Sequence, residues 1–93
     1  MEEAVVPFEP GGYPEMERAV SAAAAEGAKR IVLDLDGQTE ISIEGVRSLI
    51  ELLRRSRALG ADLVLSIDGP EVRATLERMA LDRIFPIVAR QTV

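Results

Sequence analysis

The sequence predicts an α/β fold on a mostly parallel sheet, and three observations predict it. Short apolar runs alternate with stretches whose apolar residues recur every three or four positions, in the order β-α-β-α-β-α-β. The two central runs, Ile31-Val32-Leu33-Asp34-Leu35 and Leu63-Val64-Leu65-Ser66-Ile67, are almost continuously apolar, as strands of parallel sheets tend to be. Glycine or proline punctuates the helical stretches. Strands alternating with helices imply parallel crossover units, right-handed by the general rule.

The first strand is Ala4-Val5-Val6-Pro7-Phe8. Its proline cannot donate within a central ladder, which places it near a sheet edge or strand end. Glu9-Pro10-Gly11-Gly12-Tyr13-Pro14 is a loop, and Met16, Ala19, Val20, Ala23 and Ala24 form the apolar stripe of a helix over 14–26, stopped by Gly27. After the Ile31 strand, Val46, Leu49, Ile50 and Leu53 mark a second helix, with Arg47, Glu51, Arg54 and Arg55 on its wet side and Gly60 at its end. The Leu63 strand leads into Asp68-Gly69-Pro70-Glu71, which opens a third helix whose inner face is Val72, Thr75, Leu76 and Met79. Leu81 to Phe85 then closes over the core, and Pro86 to Ala89 forms a last short strand.

Ninety-three residues fit one domain, expected over 1–93, with enough chain for a single core. Apolar residues make up 47% and charged residues 29%, the balance of an ordinary globular domain. The chain has neither cysteine nor histidine, so disulfides, thiolate nucleophiles, Ser-His triads and His- or Cys-based metal sites are excluded. Net charge −5 speaks against a nucleic-acid partner. No apolar run is long enough for a membrane span, and MEEAVVPFEP has the wrong charge for a signal peptide.

One stretch hints at catalysis. Asp34-Leu35-Asp36-Gly37-Gln38-Thr39 resembles the first motif of haloacid-dehalogenase-like phosphatases, in which the first aspartate attacks phosphorus and both help hold Mg²⁺. Gln38 displaces the threonine, however, no lysine follows Lys29, and no later acidic pair completes a metal site. A phosphatase site at Asp34 and Asp36 is therefore the weakest reading, and the chain is expected not to be an enzyme. Neither a dinucleotide fingerprint nor a P-loop appears, so no cofactor and no metal are expected. Gly69 and Pro70 read as helix-start chemistry alone.

Ile41-Ser42-Ile43-Glu44-Gly45 carries more information. With Ser42 as N-cap, its oxygen can accept the N–H of Glu44 or Gly45. Ile41 can staple to Val46, and Glu44 faces the positive end of the helix dipole. Gly45, unfavourable inside a helix by about 1 kcal/mol, suggests close approach of another backbone.

The run from Arg30 to Leu65, RIVLDLDGQTEISIEGVRSLIELLRRSRALGADLVL, resembles the centre of a STAS domain, the fold of bacterial anti-sigma factor antagonists. Members read as an apolar strand ending in Asp, a loop, I-D-S-S-G or I-D-S-T-G, an apolar helix, A-x-x-x-G and a strand. Asp34, Gly45, Ala58-Leu59-Gly60, Val72, Leu76 and Phe85 fall where that pattern expects them. The resemblance implies a small, mostly parallel sheet of about four strands, with three or four helices mainly on one face, in a cytoplasmic protein. It departs at the front, where members usually open with two strands and this chain has one evident strand.

In the family, the first serine of D-S-S-G is phosphorylated by a partner kinase that is itself an anti-sigma factor. Carried over, the aspartate position is Ser42, the phosphorylated position is Ile43, the second hydroxyl position is Glu44 and the glycine is Gly45. Ile43 has no hydroxyl to modify, so Ser42 is the one displaced phosphosite the motif allows. The resemblance implies a regulatory protein as partner, such as an anti-sigma factor kinase, docking on Thr39, Ser42, Ile43, Glu44 and Gly45. The alternative is a STAS subunit of a larger stress-signalling or transport-regulating assembly, or a homodimer. There Ile41, Ile43 and Val46 would form an apolar contact patch, whereas in the plainer reading Ile43 packs inward.

Overall fold

A computed structural model describes residues 2–9, 12–35, 37–38, 40–83 and 87–89. Strand β1 (Glu3–Pro7) leads to helix α1 (Tyr13–Ala25), then β2 (Arg30–Asp34), α2 (Ile43–Ala58), β3 (Asp62–Ile67) and α3 (Pro70–Arg78). A 3-10 turn (Leu81–Arg83) and β4 (Ile87–Ala89) follow. The side chain of Phe85 lies outside the described residues. The sheet has four strands in the order β1-β2-β3-β4, every neighbouring pair parallel.

Strand order that repeats chain order has a consequence. If each crossover is right-handed and steps the same way across the sheet, all helices fall on one face. The packing agrees. Val6, Ile31, Leu33, Leu35, Leu63, Leu65 and Ile67 share one buried cluster with Met16 and Val20 of α1, Leu49 and Leu52 of α2, and Val72 and Leu76 of α3. Leu81 joins the same cluster, closing over the core as the sequence suggested. The opposite face carries Val5, Val32 and Val64 in one row across three strands. Val32 and Val64 are buried, yet Val5 is 62% exposed at the edge.

Glycine sets two helix ends. Gly27 (φ 95°) and Gly60 (φ 81°) are left-handed, and the residue after each returns its N–H to a carbonyl of the last turn, Ala28 to Ala23 at 3.0 Å and Ala61 to Ser56 at 2.8 Å. The third helix ends differently, with Ala80 in the same region at φ 59°. Helix α1 starts one residue before the expected point, because the Gly12 carbonyl already accepts the Met16 N–H at 3.1 Å. Two expected core residues are instead exposed. Ala19 lies on the side of α1 away from the buried stripe of Met16, Val20 and Ala23, and Met79 sits at the C-cap of α3, beyond the last helical residue.

Candidate protein-docking site

The loops that follow β1, β2 and β3 meet at the carboxyl ends of the parallel strands, where open α/β sheets place their binding crevices. A cleft of about 310 Å³ lies there, lined by Phe8, Gly37, Gln38, Glu40, Ile41, Ser42 and Gly45. Its wall is the first turn of α2. Ser42 is extended (φ −81°, ψ 167°), its Oγ accepts the Gly45 N–H at 3.0 Å, and its carbonyl accepts the Val46 N–H at 2.9 Å. The sequence offered Glu44 or Gly45 as donor, and the structure selects Gly45.

Gly45 is buried, and what approaches it differs from expectation. A Cβ there would lie 3.0 Å from Ile41 Cγ1 and 3.4 Å from Phe8 Cζ. Side chains, not another backbone, fill the space. Ile41 is half-buried and packs on the core cluster that contains Val46, so the stapling residue sits across the helix start. Val46 is 6% exposed, which removes it from any surface patch. Ile43 is 70% exposed at the first helical position, so it does not pack inward. Among the described residues, the apolar surface at this end is therefore Ile43 with part of Ile41.

A clasp between loops went unseen in the sequence. Asp68 accepts the N–H of Gly37 through its carboxylate at 3.0 Å, with Gly37 left-handed at φ 87°. The Gln38 carbonyl comes so close to Gly69 that a Cβ there would stand 3.2 Å away. Gly69 thus does more than open a helix: it lets the two loops close on each other. Nothing local in D-G-P announces a partner 31 residues earlier.

The loops after β1, β2 and β3 carry charged residues of one sign. Residues 8–12, 35–42 and 68–69 contain Glu9, Asp36, Glu40 and Asp68 but no lysine or arginine. Each following helix adds an acid in its first turn, Glu15, Glu44 and Glu71, where the dipole favours negative charge. Glu9, Glu40, Glu44, Asp68 and Glu71 are all exposed. Asp34 is half-buried at the end of β2. Thr39 and Asp36, the other residues expected at a docking or phosphatase site, lie outside the described residues. Among the described residues no three acidic side chains converge to hold a metal ion, and no helix is long and apolar enough to cross a membrane.

A sequence model of the STAS domain matches residues 13–92. The chain belongs to the STAS domain family. The match covers all three helices and leaves β1 outside it. A curated Bordetella bronchiseptica protein, named "Putative anti-sigma factor antagonist BtrV", is 32% identical over 73 residues, covering 78% of this chain. The aligned STAS segment spans 63% of that relative's length. A four-stranded parallel sheet with its helices on one face fits the family assignment made from the motif.

Proposed function

We propose that this STAS domain is a non-catalytic regulatory module that docks to another protein through the N-terminus of α2 and the loops beside it. The observation that carries the reading is Ile43, a β-branched residue 70% exposed on a helix start that otherwise buries its apolar side chains. It stands where the family's serine is modified, so docking here is constitutive instead of phosphorylation-gated. The name of the Bordetella relative supports a signalling protein as the partner. The acidic loops around the isoleucine specify its chemistry: an apolar socket rimmed by arginine or lysine. They also disfavour bound phosphate, because no basic side chain in these loops would offset its charge.

Ser42 acts in this reading as a helix cap. Incubation with a cognate serine kinase and ATP leaves residues 41–45 unmodified by mass spectrometry, whereas I43S becomes a substrate. Phosphate on Ser42 in the unaltered protein would overturn the proposal.

The second reading, a permanently bound subunit of a larger assembly, draws on the same exposed Ile43. Size-exclusion chromatography with light scattering separates the two. A chain that purifies without a stoichiometric partner supports the reversible module, and an obligate co-purifying protein supports the assembly.

A further inference from the structure

We propose that β1 pairs edge to edge with β1 of a second copy, antiparallel about Val5, joining two sheets into one. The hydrogen bonds of β1 alternate. The Glu2 carbonyl accepts the Arg30 N–H at 3.0 Å and the Phe8 N–H reaches the Asp34 carbonyl at 2.8 Å, so even-numbered residues bond to β2. The peptide groups of Glu3, Val5 and Pro7 then face away from β2, toward the edge that no other described strand covers.

That edge is self-complementary. With Val5 opposite Val5 of the second copy, the two residues exchange N–H and carbonyl, and each Glu3 N–H meets the other copy's Pro7 carbonyl. Proline lacks a donor, and its position leaves only the Glu3 carbonyl without one. No like charges oppose each other, since Glu3 faces Pro7 and is held on its own chain by Arg30 at 3.4 Å. The exposed Val5 would gain a partner and extend the row of Val64, Val32 and Val5 into the second copy. On the helix side, a groove lined by Val6, Pro7, Glu9, Glu15, Met16 and the exposed Ala19 leaves room for the other strand.

An edge of five residues buries far less than a standard interface, so association is weak, with half-dimerisation at about 10–100 μM. Docking is read with a different protein and this pairing by self-association of the pure chain, so either proposal can fail alone. Sedimentation equilibrium from low micromolar to about 1 mM should show a monomer–dimer equilibrium. Val5→Lys should raise the midpoint at least about tenfold by placing like charges opposite each other. Pro7→Val should lower it about tenfold by restoring a donor to each Glu3 carbonyl. Both positions are exposed, and circular dichroism checks that each variant folds. In the unaltered protein the Val5 amide should exchange more slowly as concentration rises, a readout that needs no substitution. A monomer at the highest concentration, a dimer indifferent to both substitutions, or a Val5 amide insensitive to concentration would overturn the proposal.

Discussion

Ser42 admits two readings in the sequence, a helix cap and a displaced phosphosite, and the geometry supplies the hydrogen bond of the first. Its oxygen holds the Gly45 N–H, one of the donors a helix start leaves without a partner. Ser42→Ala should cost about 1 kcal/mol in urea unfolding, whereas Ser42→Asp should stay within about 0.5 kcal/mol of the original. A neutral Ser42→Ala would show that the cap contributes nothing. Tyr13 offers a cleaner probe, being the one tyrosine of the chain. Burial pushes its pKa up, the carboxylates of Glu17 and Glu51 add to the rise, and Arg55 opposes it. Because the folded state holds the phenol proton more tightly, its contribution to stability is complete below the unfolded value of about 10 and is lost as pH rises beyond it. Absorbance titration of the native protein should give a midpoint above that of free tyrosine, and Tyr13→Phe should flatten the alkaline loss of stability.

Element order was legible because the apolar period changes cleanly between strands and helices, and because Gly27 and Gly60 supply the left-handed residue that ends α1 and α2. The end of α3 was harder to read for a physical reason. Ala80 occupies the left-handed conformation at φ 59°, where a Cβ crowds the following carbonyl, and an alanine in sequence looks like more helix. The Ala80 N–H still reaches the Glu77 carbonyl at 3.0 Å, so the turn forms despite that crowding. Ala80→Gly should therefore stabilise the protein by about 0.5–1 kcal/mol, a gain of a few degrees in thermal midpoint. No gain, or a loss, would mean that the greater freedom of glycine in the unfolded chain outweighs the relief. The inter-loop clasp of Asp68 on Gly37 escaped the sequence for another reason: periodicity reports which face a residue takes, not which distant loop it reaches.

Across the whole molecule, one face of the sheet does most of the structural work. The parity of the strands sends Ile31, Leu33, Leu63 and Leu65 under the helices and sends Val5, Arg30 and Asp62 the other way. Four ion pairs, Glu15–Arg18, Glu3–Arg30, Glu51–Arg54 and Glu17–Arg55, have well-exposed side chains. Each contributes less than about 1 kcal/mol, and added salt screens it. Stability therefore resides in the cluster beneath α1, α2 and α3, and a domain of this size has only about 5–15 kcal/mol in total. Leu33, fully buried on the central strand β2, should cost about 3 kcal/mol when cut to alanine, through lost burial and the cavity left behind. Val5→Thr, at a site 62% exposed, should change the stability of the monomer by less than about 0.5 kcal/mol. Urea unfolding of the two variants at low protein concentration measures the contrast. Equal effects would mean that the edge position Val5 carries as much of the fold as the helix-covered core. A large gap would place the β1 edge outside that core and leave it free to change without loss of the fold.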